Sequence, residues 1–233
     1  MKIGIIGAMK EEIAHILTEL EDKKTTRKAG LTFTEGRLGN TDAVIVQSGV
    51  GKVNAALCAQ ILIDCYAITH LINTGIAGSL NNDIEVGDAV VSTDAVMHDM
   101  DATAFGYAAG EIPGMRSLSF AADEQLRRMI MQGIRETAPQ LHVFEGRIAT
   151  GDQFISSSAQ KERIRSVFHA ECTEMEGAAI AQTASVNGIP FVIVRYISDK
   201  ADESTLIPYM DFEAEAARNS AKLIVSVLKH FDQ

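Results

Sequence analysis

Short runs of consecutive apolar residues alternate along the chain with stretches in which apolar positions recur every three or four residues. The runs read as buried strands and the stretches as amphipathic helices. IGIIGA (3–8) predicts a strand; EEIAHILTELED (11–22) predicts a helix with Ile13, Ile16, Leu17 and Leu20 on one face. LTFTEGRLGN (31–40) and TDAVIVQSG (41–49) predict a hairpin turning at Gly39-Asn40. Strands follow at 70–78, 87–98, 142–151, 171–176 and 190–199, and helices at 53–66, 120–138, 157–168, 177–188 and 212–231. Near-continuous apolar strands interleaved with helices imply a sheet covered on both faces, and the hairpin makes that sheet mixed. No repeat, low-complexity segment or proline-rich linker interrupts the pattern, so a single α/β domain over 1–233 is expected.

Composition narrows the partners. The 233 residues are 46% hydrophobic, and 31 Asp and Glu against 21 Lys and Arg give a formal net charge of −10. That balance speaks against a nucleic-acid partner or an anionic membrane surface, both of which favour basic faces. Cys58, Cys65 and Cys172 are too few for a disulfide framework, and the first two fall in an apolar helical stretch where buried thiols are expected. No basic-then-apolar leader opens the chain and no apolar run reaches about 18 residues, so a cytoplasmic location is expected.

Three familiar motifs are approached and missed. Gly4 and Gly7 have the spacing of the last two glycines of G-x-G-x-x-G, but the first would fall on Lys2, and Glu11 and Glu12 would repel a pyrophosphate. SGVGKVN (48–54) resembles a P-loop fragment, yet Val46 and Val53 stand where Gly and Ser or Thr are required. His98 in MHDMD is a single histidine among alternating carboxylates, better read as a hydrogen-bonded loop than as a metal site.

Carboxylates remain at the positions where open α/β sheets place their chemistry, beyond the C-terminal ends of strands. Glu12 follows the first strand; Glu174 and Glu176 flank Met175, so strand alternation would put both on one face; Asp199 ends VIVRYISD. Singly, each has an ordinary structural role as a cap or dipole partner. Together they outline an acidic crevice with one cation, Arg195, on the strand of Asp199. Such a pocket suits a cationic transition state, with one carboxyl protonating a leaving group and another activating water.

GIIGAMKEE, SGVGKVNAA, NTGIAG, HDMDATAFGY, GDQFI, EMEGAAIA and VRYISDKAD occur in that order. In these seven motifs the chain resembles the bacterial 5′-methylthioadenosine/S-adenosylhomocysteine nucleosidases of the nucleoside phosphorylase superfamily, from Met1 to the last helix. The resemblance implies a three-layer α/β/α domain with a partly barrel-like mixed sheet, usually as a homodimer, and hydrolysis of an N-glycosidic bond with release of adenine and a 5′-thio-ribose. It calls for no cofactor and no metal. By resemblance Asp199 is the general acid for adenine N7, oriented by Ser198, and burial would raise its pKa. Glu12 is implied as the general base for water, Glu176 as the acceptor for the ribose 2′- and 3′-hydroxyls, and Arg195 as a residue near water and ribose. Phe154 would stack on adenine and the Ile155 backbone read its edge, with Ala77 and Gly78 close beneath. Ala8, Met9, Val50, Met175 and Tyr209 would line the pocket for the nucleoside and its 5′-alkylthio group. Phe105 and Pro113 match positions supplied by a partner subunit.

The pattern is broken in two places. Ile76 stands where NTGIAG-type motifs often carry Ser, removing a hydroxyl that helps hold the water or ribose, and GAA after Glu176 replaces a commoner ATA. Two other readings compete. A phosphorylase would set phosphate beside Glu12, a repulsion of about 4 kcal/mol per charge pair at about 4 Å and an effective dielectric near 20. A non-catalytic nucleoside-binding module would have no need of acid, base and ribose-binding carboxylates together.

Overall fold

The computed structural model describes residues 1–115, 117–204 and 206–229, with side chains of the final helix described from Glu213 onward. Among the described residues ten strands, β1 (Lys2–Gly7), β2 (Glu21–Lys28), β3 (Leu31–Leu38), β4 (Thr41–Gln47), β5 (His70–Ser79), β6 (Ala89–Met97), β7 (Phe120–Ala121), β8 (Val143–Thr150), β9 (Cys172–Glu174) and β10 (Phe191–Asp199), form one mixed sheet. Among the described residues the helices are α1 (Lys10–Glu19), α2 (Lys52–Tyr66), α3 (Glu124–Thr137), α4 (Ser158–Phe168), α5 (Gly177–Val186) and α6 (Leu206–Lys229), with a single 3-10 turn at Thr103–Phe105.

The sheet runs β10-β6-β8-β9-β5-β1-β4-β3-β2, and β10 also pairs with β5, so five strands close into a barrel while β1, β4, β3 and β2 extend from it as an open wing. β5 is the shared staple: it pairs in parallel with β1 and β10 and, at Gly78 and Ser79, antiparallel with β9. This is the mixed α/β sheet expected from the pattern, with the partly barrel-like closure that the resemblance implies.

Alternation along the buried strands sorts side chains between two cores. Ile6, Val44, Leu71 and Ile193 face the cluster built with Leu62 of α2 and Ile180 of α5. Their neighbours Ile5, Ile45, Ile72 and Val192 face the cluster built with Ile16 of α1, Ile130 of α3 and Ile224 of α6. Both faces of these strands are thereby covered along their middles, so a polar residue buried there, such as Asn73 or Arg195, requires a partner.

Local differences from the sequence reading have local causes. The first helix stops at Glu19 rather than Asp22, and EDKKTTRK forms β2, which pairs only with β3. Its residues are almost all exposed and charged, so it carries no apolar alternation, and its lysines guard a sheet edge. The helix expected from Phe120 begins at Glu124, where the Asp123 carboxylate accepts Leu126 N–H at 2.7 Å, and Phe120–Ala121 pairs with β6 instead. The last helix starts at Leu206, earlier than expected. Cys58 and Cys172 are buried, but Cys65 is exposed, its Sγ 2.8 Å from Lys28 Nζ on β2. No described helix is long and apolar enough to cross a membrane.

Candidate active site

The C-terminal ends of β1, β9 and β10 deliver four acidic groups to one cleft of about 470 Å³, which β5 also lines. Glu12 lies in the first turn of α1, directly after β1, and is 2% exposed. Its Oε2 accepts N–H bonds from Ala8 (2.6 Å) and Met9 (3.0 Å), and its Oε1 accepts one from Ile76 on β5 (3.0 Å). A carboxylate offers about four acceptor sites, so three backbone donors leave room for a water. Burial pushes the Glu12 pKa up, against the pull of the Arg195 charge and these three N–H groups.

Arg195, fully buried on β10, is the electrostatic centre. Its Nη2 donates to Asn73 Oδ1 at 2.6 Å and to Glu174 Oε2, and stands 3.6 Å from Glu176 Oε2. Burial opposes its charge, but Glu174, Glu176 and Glu12 together hold its pKa above the usual arginine value. Gly75, opposite Arg195 in the β5–β10 register, must lack a side chain: a Cβ would collide with Glu12 Oε1 and Arg195 Nη1.

Glu174 takes the structural share. Its Oε1 accepts the Thr150 hydroxyl; its Oε2 accepts the N–H groups of Glu176 (3.0 Å) and Gly177 (2.7 Å) as well as Arg195. It thereby caps α5 and ties it to β10. β9 ends at Glu174, so Glu176 occupies the N-cap position of α5 rather than a strand position, and both carboxylates still converge on Arg195. Glu176 Oε1 accepts Gly51 N–H at 2.8 Å. Burial and the neighbouring Glu174 charge raise its pKa to about 7, with Arg195 pulling the other way.

Across the cleft, Asp199 closes β10 at 2% exposure. Its Oδ2 accepts the Ser198 hydroxyl (2.8 Å) and its Oδ1 accepts Ala201 N–H (2.8 Å). A Cβ on Gly78 would fall 2.8 Å from Asp199 Oδ1, which accounts for the glycine there.

Ala8, Met9, Val50, Ala77, Gly78, Phe154, Met175 and Ser198 line the cleft with Glu12, Glu176 and Asp199. Ile155 is buried and faces a smaller chamber of about 240 Å³ that shares Phe154, Met175 and Asp199 with the main cleft. Arg195 does not line the cleft; it stands behind Glu174 and Glu176. Phe105 is 84% exposed and Pro113 is exposed, both away from the cleft of this chain. The Tyr209 side chain lies outside the described residues. Ile76 lines the cleft and packs with Ala216, Ala217 and Met9, while its N–H still serves Glu12. Asn73, Thr150 and Thr173 also belong to the site; for Asn73 the available signal was an amide following the apolar run of β5, whereas the strands of Thr150 and Thr173 carry other polar residues and offered no such contrast.

The family model described as "Phosphorylase superfamily" matches residues 2–229. A 5′-methylthioadenosine/S-adenosylhomocysteine nucleosidase of Exiguobacterium is 44% identical over the full length of both chains. The nucleosidase of Neisseria meningitidis, solved in complex with methylthio-immucillin-A, superposes with a TM-score of 0.94 at 39% identity, covering 98% of each chain. That of Colwellia psychrerythraea, solved in complex with adenine, gives 0.93 at 40% identity, covering 98% of this chain and 94% of the other. The protein is thus of the phosphorylase superfamily by fold and sequence. Within it, the chain belongs to the 5′-methylthioadenosine/S-adenosylhomocysteine nucleosidase family.

Proposed function

We propose that this protein hydrolyses the N-glycosidic bond of 5′-methylthioadenosine and S-adenosylhomocysteine, releasing adenine and the 5′-thio-ribose, with 5′-deoxyadenosine as a further substrate. The observation that carries the reading is the separation of carboxylates across one cleft: Glu12 and Glu176 on the Arg195 side, Asp199 on the other. The family relatives, one with adenine and one with an immucillin bound, support the same substrate class.

In this mechanism Asp199, held by Ser198, protonates N7, so that adenine departs neutral rather than as an anion. Positive charge grows on the ribose as the bond stretches, and Glu176 accepts the 2′- and 3′-hydroxyls while opposing that charge. Glu12 takes a proton from the water that attacks the anomeric carbon. Arg195 touches no substrate atom; its charge pulls the pKa of Glu12 and Glu176 down against burial, and its guanidinium holds Glu174 and Glu176 in place. Phe154 stacks on the purine, the backbone of Ile155 reads its edge, and Met9, Val50, Met175 and Tyr209 take the 5′-alkylthio group.

Residues 1–233 act as one such domain, in the cytoplasm. The working form is a homodimer in which Phe105 and Pro113 of one copy close the other's 5′ pocket; the exposed Phe105, Val53 and Leu57 provide apolar surface for it. Sedimentation showing only monomer would remove that part of the reading.

The decisive experiment measures adenine release from 5′-methylthioadenosine and S-adenosylhomocysteine, with and without phosphate, for the wild type, Glu12→Gln and Asp199→Asn. Phosphate-independent release that both substitutions abolish is expected. Strict dependence on phosphate would make the protein a phosphorylase, and binding without turnover a nucleoside-binding module.

A further inference from the structure

The two motifs that failed as a phosphate loop and as a metal site come together in space. Lys52, from SGVGKVN, is the first residue of α2, and Asp99, from MHDMD, follows β6. Lys52 Nζ donates to Asp99 Oδ1 at 2.6 Å. The other oxygen, Asp99 Oδ2, accepts Asp152 N–H at 2.9 Å, and Asp152 Oδ1 in turn accepts Lys52 N–H at 2.8 Å. Asp152 Oδ2 lies 3.9 Å from Lys52 Nζ. The three residues close a ring of hydrogen bonds across three segments that are distant in sequence.

The location of the lysine is itself informative. A cation at the N-terminus of a helix opposes the helix dipole, and Gly51 offers no side chain to cap it. Asp152 supplies the cap from outside the helix, and Asp99 supplies the counter-charge. Burial works against ionisation of Asp99, and the Lys52 ammonium with the Asp152 N–H outweighs it, so its pKa lies below the usual range. Both side chains of the ion pair are less than a fifth exposed, which limits screening by solvent.

Two of the three segments held by the ring carry a cleft residue. The turn before α2 carries Val50, and its Gly51 N–H binds Glu176 Oε1 at 2.8 Å. The turn after β8 carries Asp152 and, two residues on, Phe154, which lines the cleft and is 44% exposed. We infer that Lys52 and Asp99 are positioning residues that lock these two turns together, so that Phe154 is in place for the purine before the nucleoside arrives. The inference rests on the nucleosidase reading, and it adds to it a pair that touches no substrate.

The test compares the wild type with Lys52→Met, Asp99→Asn and Lys52→Arg, reading KM, kcat, the dissociation constant for free adenine, and Tm. Loss of preorganised stacking predicts that Lys52→Met and Asp99→Asn each raise KM and the adenine dissociation constant about tenfold, with kcat changed less than about threefold. Lys52→Arg keeps the charge and should restore most of the affinity. Adenine affinity unchanged in both disruptive variants, with Tm alone lowered, overturns the inference. So does failure of both to fold, which would make the pair a determinant of the fold rather than of the cleft. If the wild type released no adenine from 5′-methylthioadenosine, the nucleosidase reading would fall first, a result distinct from either of these.

Discussion

At the inner end of the cleft Glu12, Glu174 and Glu176 surround a fully buried arginine, whereas at the outer end Phe154 and Val50 stand half exposed on turns. The inner end is charged, buried and set by strands: β5 and β10 fix Gly75, Ile76 and Arg195 in register, and α1 and α5 present their first turns to the same point. The outer end is mostly apolar and is held by polar contacts between turns. The difference fits the division of labour. Charges that must stay ionised beside one another need rigid, buried partners, because their interaction strengthens as water is excluded. A flat purine that enters and leaves needs an opening, and stacking area rather than charge.

That contrast can be broken most severely at the reacting groups. Asp199→Asn and Glu12→Gln should each lower kcat by about 10²–10⁴-fold, with adenine affinity nearly retained, as general acid–base contributions of this kind usually do. Steady-state kinetics and adenine titration check it; a large loss of adenine affinity in Glu12→Gln would place the base at the purine end instead.

The inner knot should be the more costly of the two ends to disturb in stability. Glu174→Ala leaves Arg195 short of its closest partner and two α5 N–H groups without an acceptor, so about 3–5 kcal/mol of folding stability should be lost, measured by urea denaturation. Phe154→Ala, at the outer end, should leave the urea midpoint nearly unchanged and raise KM by about ten- to a hundredfold, from about 1–3 kcal/mol of lost stacking.

Two further predictions sharpen the electrostatic side. Glu176 must be ionised to oppose the positive charge that grows on the ribose while it accepts both hydroxyls, and its pKa is raised to about 7 by burial and by Glu174. The acid limb of the kcat/KM profile should therefore lie near 7, with activity falling again at higher pH where the general acid loses its proton; an acid limb at the ordinary value of 4.5 would show that the inner end does not perturb Glu176. The sign for stability is opposite. A carboxylate with a raised folded-state pKa weakens the fold as pH climbs from its unfolded value towards 7 and beyond, so Glu176→Gln should raise Tm of the free enzyme at pH 8 and leave it unchanged at pH 4. Smallest of all, Ile76→Ser should alter kcat less than about fivefold, since the Glu12 anchor is a backbone N–H, while removing buried apolar surface should cost about 1–3 kcal/mol. Chemical denaturation alongside kinetics separates the two effects.

The same division governs what could be read in the sequence. β1, β4, β5 and β10 are legible because buried strands must be apolar throughout, and Glu12 and Asp199 are legible because they follow such strands directly. β2 is not legible: its residues are charged and exposed, and only pairing with β3 makes it a strand. Glu174 and Glu176 are equal in sequence, one residue apart from Met175, and nothing local separates their tasks. The fold does so by ending β9 between them, giving Glu174 to Thr150, Arg195 and the start of α5, and leaving Glu176 towards the cleft.

By itself the sequence determined the alternation of strand and helix, the two-faced core, the acidic character of the crevice and the likeness to a family through seven ordered motifs. These follow from local periodicity, charge and residue order, which require no knowledge of distant partners. The tertiary structure alone decided the barrel closure of β10 on β5, the withdrawal of Arg195 behind its carboxylates, and the meeting of Lys52 with Asp99 and Asp152. Each of these depends on hydrogen bonds or ion pairs between residues tens of positions apart, and such partners are chosen by packing rather than by neighbours in the chain.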